Sequence, residues 1–152
     1  MVKEAQTRSW LRRARDITGK KNVLTSDIAR VAYGADAGCY GKRPWAVVTP
    51  ENEEEVCQLL QSLYESDIPL TFRAGGTSLS GQSISDSVLL RAAGDHWEHT
   101  RIEEEGERVI TGPGITGTRL NQRLKPYGRQ FGPDPASIQS AMVGGIIANN
   151  AS

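Results

Sequence analysis

Ten residues carry most of the chemistry this chain can offer. Arg73 to Gln82 read RAGGTSLSGQ, a glycine-rich run with three hydroxyls, one arginine and no lysine. Gly76, Gly81, Gln82 and Ser83 fall on the fixed positions of a P-loop, G-x-x-x-x-G-K-[ST], but Gln82 stands where the lysine belongs. A nucleoside triphosphate needs that ammonium against its β and γ phosphates, with the neighbouring hydroxyl on Mg²⁺. Gln82 donates hydrogen bonds and brings no charge, so P-loop chemistry is set aside. What survives is a backbone argument. Consecutive glycines let N–H groups converge on a phosphate, and a pyrophosphate needs less countercharge than a triphosphate. Standing alone, the run reads better as an ordinary turn between a strand and a helix.

A second glycine pattern invites a different reading. Gly112, Gly114 and Gly117 spell G-x-G-x-x-G between a predicted strand and a predicted helix, and Asp134 lies near the spacing of a ribose-binding acid. Against a nicotinamide site stand Pro113, which removes an N–H from the turn, and Arg129-Gln-Phe-Gly-Pro, a poor parallel strand. The second βα crossover that the fingerprint demands is also missing. His96 and His99 flank Trp97 at a spacing a helix could use for a metal, but strand-like surroundings and the lack of a third ligand make them surface residues. Cys39 and Cys57 form no C-x-x-C and read as a loop thiol and a small buried hydrophobe. No nucleophile, general base or paired carboxylate stands out. Neither a catalytic residue nor a metal ligand is therefore assigned.

Composition narrows the partners. Among 152 residues, eighteen basic side chains balance eighteen acidic ones, so no positive field draws the chain to nucleic acid. No apolar stretch reaches the length of a bilayer span, and the first twenty residues lack the apolar centre of a secretory signal. The expectation is a cytoplasmic protein that does not span a membrane. The sixteen glycines concentrate between Gly75 and Gly81, Gly112 and Gly117, and Gly132 and Gly145, as if several loops met one extended ligand.

Certain elements must position these loops. Ala5 to Thr18 sets Trp10, Leu11 and Ala14 on one side and arginines on the other, the pattern of a surface helix. Thr25 and Ser26 can cap a short helix through Ile28 and Val31 that ends near Gly34. Ala46 to Val48 predicts a strand, and Pro50 at a first helical position, with Glu51, Glu53 and Glu54 behind it, predicts the next helix. Its apolar stripe is Val56, Leu59, Leu60, Leu63 and Tyr64. Ile68 to Phe72 reads as a second strand that opens directly into the glycine run. Strand, helix and strand of this length imply a βαβ unit, which puts the run at the carboxyl end of a parallel strand, where open sheets bind ligands. Ser87 to Arg91 predicts a strand buried on both faces. His99 to Glu104 and Arg108 to Thr111 then alternate as an antiparallel hairpin, followed by a helix over Thr116 to Leu124 with Leu120 and Leu124 inward. The fold class is α+β: a small parallel βαβ subdomain followed by an antiparallel-sheet subdomain. The segments are 1–34, a helical lead, 35–94, and 95–152, with a boundary near Gly94.

Several motifs in fixed order resemble a known family. They are Tyr33-Gly-Ala-Asp36, Pro44-Trp-Ala-Val-Val-Thr-Pro50, Ile68 through Gln82, Pro113-Gly114, Phe131-Gly-Pro-Asp-Pro-Ala-Ser137, and Val143-Gly-Gly-Ile-Ile-Ala-Asn-Asn-Ala-Ser152. From about Ala29 onward the chain resembles the amino-terminal part of an FAD-binding domain of the vanillyl-alcohol-oxidase, PCMH type. Within that group it is most similar to FAD-linked dehydrogenases of D-2-hydroxy acids such as D-lactate, glycolate and D-2-hydroxyglutarate. The resemblance implies two α+β subdomains with FAD extended between them. It implies that Arg73, Ala74, Gly75, Gly76, Thr77, Ser78, Gly81 and Gln82 form the pyrophosphate loop, with Thr77, Ser78 and Gln82 adding side-chain bonds. It places Pro133, Asp134, Pro135 and Ser137 beside flavin and phosphates, and Gly144, Gly145 and Asn149 in the segment on which the dinucleotide packs. Some relatives tether flavin through a histidine directly after the paired glycines. Thr77 occupies that position here, which implies noncovalent FAD.

The resemblance also implies partners: a small 2-hydroxy-acid substrate, the remainder of the same polypeptide, and an electron acceptor that could hold the protein at the periphery of a membrane. The chain stops inside the last motif, where relatives continue into a glycine, so a fragment is expected that is inactive alone. The two cysteines do not match the ligands of an iron–sulfur segment. The rival reading is a noncatalytic nucleotide-binding module that uses the same glycine loops.

Overall fold

The computed structural model describes residues 2–151, with side chains from Gln6 onward. Met1 and Ser152, the outermost residues of the predicted segments, lie outside the described residues. Two compact units emerge: the chain as far as Arg73 together with Ser78–Arg91, and Ala74–Thr77 together with the chain from Ala92 onward. The chain therefore changes unit within the glycine run.

The first unit opens on helix α1 (Val2–Thr18). Trp10, Ala14 and Thr18, spaced by four, are all buried. Helix α2 (Asp27–Ala32) is capped by the Ser26 hydroxyl, which accepts from the Ala29 N–H as the sequence suggests. Four strands form one sheet in the order β1 (Val23–Leu24), β2 (Ala46–Val48), β4 (Val88–Arg91), β3 (Leu70–Arg73). Strand β1 runs antiparallel to β2, and β4 pairs in parallel with both β2 and β3. The predicted strand–helix–strand unit is present with parallel strands, but β4 separates its two strands. Burial explains the order. Val88, Leu89 and Leu90 are apolar in succession and fully buried, which suits a central strand, whereas β3 carries Thr71, Arg73 and a half-exposed Phe72 at the edge.

Helix α3 (Glu53–Glu65) begins three residues later than Pro50 predicts. Asn52 supplies the reason: its side chain accepts from the Glu55 N–H at 2.9 Å, while Glu55 reaches back to the Glu51 N–H at 2.8 Å. That reciprocal pair of bonds outcompetes proline as a start signal. The buried stripe is also rotated from the predicted one. Leu59 and Leu63 are buried, but Tyr64 is 89% exposed and Leu60 sits at the surface. Ser62 takes the inward position. The Trp10 indole N–H donates to its hydroxyl at 2.9 Å, and that hydroxyl donates to Leu59 O at 2.7 Å, so a buried polar atom is fully paired. The same rotation turns Cys57 outward, and the expected buried thiol is exposed.

The second unit contains the predicted hairpin, β5 (Thr100–Glu103) antiparallel to β6 (Arg108–Thr111). Glu104, Glu105 and Gly106 turn the corner with positive φ. Helix α4 (Gly117–Leu124), capped by Thr116, turns Leu120 and Leu124 inward. These leucines meet Ile115 and the Val143 of helix α5 (Val143–Ala148) in one cluster, with Ile102, Val109 and Phe131 at its margin. At about 1.5–3 kcal/mol for each fully buried aliphatic side chain, this small core holds the hairpin and both helices together. The protein is α+β, with the parallel-containing sheet and the antiparallel sheet in separate units. Among the described residues, no helix is long and apolar enough to cross a membrane.

Candidate functional site

In the first unit, Arg73 ends β3 and anchors the turn that follows. Its guanidinium donates to Ala35 O at 2.9 Å and to Ser83 O at 3.1 Å, and lies 5.5 Å from the centre of the Tyr33 ring. Burial holds its pKa below the usual arginine range; Tyr33 and Asp36 oppose that shift and Arg91 adds to it. The segment 35–41 grips residues 78–83 at several points. Ala37 N–H donates to Ser78 O at 3.1 Å, and the Ser83 hydroxyl donates to Asp36 Oδ2 at 3.4 Å. Asp36 Oδ1 accepts from the Gly38 N–H at 2.9 Å, folding an Asx turn that brings Gly38 so near Leu79 O that an added Cβ would lie 2.6 Å away. Gly81, at φ +73°, backs onto the Tyr40 ring. Ser78 organises the turn from within: its hydroxyl accepts from the Ser80 and Gln82 N–H groups and donates to Gln82 Oε1 at 3.3 Å.

In the second unit, Gly75 has no room for a side chain, since a Cβ would lie 2.5 Å from Ser140 O. Gly76 adopts φ +72°, a conformation closed to β-branched residues. Among the described residues, none accepts a hydrogen bond from the backbone N–H of Gly75, Gly76 or Thr77. Gly144 packs on Pro113, where a Cβ would come within 2.6 Å, and its N–H donates to Pro113 O. Gly145 lies next to Ala74, and Asn149 caps the end of α5. Pro135 and Ser137 shape a tight turn through bonds to the N–H groups of Ile138, Ser140 and Ala141. Asp134, with Asn121, Lys125 and Arg129, lines a groove of about 540 Å³ along α4.

The G-x-G-x-x-G triplet proves to be a packing device. A Cβ on Gly112 would lie 2.3 Å from Trp97 O, one on Gly114 2.8 Å from Trp97 Cβ, and one on Gly117 2.5 Å from Ile138 Cγ1. Their N–H groups are already committed, to His99 O, Trp97 O and Ala141 O respectively. The strand before the triplet belongs to an antiparallel hairpin, so no dinucleotide crossover surrounds it. His96 and His99 join no metal-binding group, and no cluster of three or more potential ligands occurs among the described residues.

Sequence reasoning did not single out Tyr33, Asp36 or Arg91 for the site. For Asp36 a local signal existed, because aspartate two residues before glycine is an Asx-turn pattern. Arg91 could be found only from strand register, which pairs it with Arg73. The Arg73–Gln82 arrangement suits a dinucleotide diphosphate. Gly75 packs against Ser140 O, Gly76 is left-handed, the N–H groups of Gly75, Gly76 and Thr77 are uncommitted, and the run contains no carboxylate to repel a phosphate.

Comparison with known proteins supplies the family. Residues 44–152 match the family described as FAD binding domain. Over 131 residues the chain is 29% identical to the glycolate oxidase subunit GlcD of Escherichia coli, covering 85% of this chain and 26% of the relative. It is 33% identical to a D-lactate dehydrogenase of Archaeoglobus fulgidus, covering 70% and 24%, and 30% identical to a D-2-hydroxyglutarate dehydrogenase of Pseudomonas putida, covering 89% and 14%. The chain thus spans about a quarter or less of the length of these relatives. Two solved structures share the fold: alkyldihydroxyacetonephosphate synthase, with a TM-score of 0.79 at 19% identity over 92% of this chain and 28% of that one, and p-cresol methylhydroxylase, with 0.74 at 18% over 96% and 29%. Through the match over residues 44–152, this chain belongs to the PCMH-type FAD-binding domain family, with FAD as its cofactor.

Proposed function

We propose that this chain is the cofactor-binding part of an FAD-dependent dehydrogenase that oxidises a D-2-hydroxy acid of the D-lactate, glycolate or D-2-hydroxyglutarate kind. The observation that carries this reading is similarity, over 70–89% of the chain, to three enzymes whose names specify such acids. Ala74 to Thr77 would hold the diphosphate through backbone N–H groups, with Arg73, Ser78, Gly81 and Gln82 shaping the turn that follows. Pro133, Asp134, Pro135 and Ser137 would pass the flavin, and Gly144, Gly145 and Asn149 would support the dinucleotide. Each charge-assisted bond to phosphate contributes about 1.5–3 kcal/mol, so three or four such donors replace the missing lysine.

Bound FAD supplies the electron acceptor for the substrate carbon, chemistry that belongs to the cofactor. The chain's own residues bind and orient it. Substrate acid and base groups are proposed to lie in parts of the polypeptide beyond these residues, and the 35–94 and 95–152 segments are proposed as the two FAD-binding subdomains. Thr77 at the tether position supports noncovalent attachment.

The test is a visible spectrum of the purified natural polypeptide before and after denaturation, followed by dye reduction with a panel of D- and L-2-hydroxy acids. The expected result is FAD released intact on denaturation and turnover confined to D acids or glycolate. A colourless protein that FAD cannot reconstitute would sink the reading. Flavin without turnover of any 2-hydroxy acid would leave the cofactor assignment and remove the substrate class.

A further inference from the structure

Arg73 and Arg91 occupy partnered positions at the carboxyl ends of the neighbouring parallel strands β3 and β4. That end of an open parallel sheet is where ligands bind. Both guanidinium groups lie over one ring, that of Tyr33, at 5.5 and 5.9 Å from its centre. Their bonding differs. Arg73 donates from Nη1 to Ala35 O and Ser83 O, whereas the Arg91 guanidinium has no hydrogen bond or ion pair to any other described residue. The carboxylate that acts on Arg73 is Asp36, and it is already engaged by Gly38 N–H and the Ser83 hydroxyl.

Two half-buried cations with one occupied carboxylate leave an uncompensated positive charge at the ligand end of the sheet. Holding like charges together is unfavourable unless an anion joins them. A guanidinium that places its face on an aromatic ring keeps its N–H edge for planar, two-point bonding to an oxyanion. Tyr33 lies beside Arg91 and therefore leaves its donors available. The run from Arg73 to Gln82 has no lysine, and Arg91 on the partner strand adds a second cation beside it.

We propose that Arg91, set beside Tyr33 and Arg73, is an oxyanion-binding residue that takes a phosphate of the bound dinucleotide. This rests on the FAD assignment above and deepens it.

The experiment titrates flavin-free natural polypeptide with FAD and with riboflavin, which has no phosphate, in the wild type, Arg91→Gln and Arg91→Lys. Thermal unfolding of the apoproteins checks that each variant folds. The expected result is FAD affinity weakened roughly tenfold or more in Arg91→Gln and less in Arg91→Lys, with riboflavin binding the same in all three. Affinity in Arg91→Gln should also depend less on salt. FAD affinity within twofold of wild type in a folded Arg91→Gln would overturn the proposal, and so would equal weakening of riboflavin. If FAD affinity is unchanged but the KM for a hydroxy acid rises, the anion is a substrate carboxylate and the phosphate assignment falls. A wild type that binds no FAD removes the underlying assignment as well, so the two failures are distinguishable.

Discussion

Two glycine-rich stretches of this chain, Gly75 to Gly81 and Gly112 to Gly117, do opposite work with the same residue. In the triplet, every glycine makes room for a neighbour, Trp97 or Ile138, and every N–H is taken by a protein carbonyl. In the loop, Gly76 and Gly81 are needed for their positive φ, and the N–H groups of Gly75, Gly76 and Thr77 have no acceptor among the described residues. The triplet matches a dinucleotide fingerprint letter for letter and is mortar for a small core. The loop matches its nearest motif imperfectly and is the proposed cradle. What separates them is where the donors go, a question that a pattern of letters does not ask.

The contrast can be broken by substitution. Gly76→Val forces a β-branched residue into the left-handed region beside the cradle; flavin content, read from the visible band per mole of protein, should fall to near zero while far-ultraviolet circular dichroism stays native. Retained flavin would mean that the loop does not hold the phosphates. Gly114→Ala is the mirror experiment. Its Cβ would press on Trp97, lowering stability by about 1–3 kcal/mol in urea unfolding, with FAD affinity of the folded fraction unchanged. A loss of affinity without a loss of stability would reverse the assignment of the two stretches.

Asp36→Ala tests how the loop keeps its shape. It removes the Asx turn to Gly38 and the contact with Ser83, and FAD affinity should weaken by about fivefold. Outside both stretches, Glu65 calibrates the scale. Its pKa lies below the ordinary 4.5, chiefly through the hydrogen bond from Arg13 and then that from Gln61. A depressed carboxylate contributes stability that is complete above about pH 4.5 and is lost as the pH falls through the lower folded value. Glu65→Gln should flatten that part of the acid-unfolding curve slightly and leave flavin affinity untouched.

Much of this was legible in the chain because local signals agreed with tertiary ones. Ser26 capped its helix as the sequence suggests, Val88 to Leu90 read as a doubly buried strand and became the centre of the sheet, and the glycine run followed a parallel strand. What was hidden depended on partners distant in sequence. The two-residue β1 is too short to show a period, and its pairing with Val47 and Val48 becomes visible only in the folded sheet. Ser62 faces inward because Trp10, 52 residues away, donates to it, and that bond rotates the stripe that Leu60 and Tyr64 seemed to complete. Of the candidate site, the glycine loop was legible from composition, whereas Tyr33, Asp36 and Arg91 depend on register and on the folding of segment 35–41 over 78–83.

The order of the sheet has a consequence for how the protein is made. Strand β4 lies between β2 and β3, yet it follows both along the chain. A nascent polypeptide that has emerged only through Gln82 holds two parallel strands with no strand between them, and their edges stay unpaired until Val88, Leu89 and Leu90 arrive. The sheet is closed by the last of its strands to leave the ribosome, so a pause in translation before that point exposes open strand edges, where such a chain is most prone to self-association.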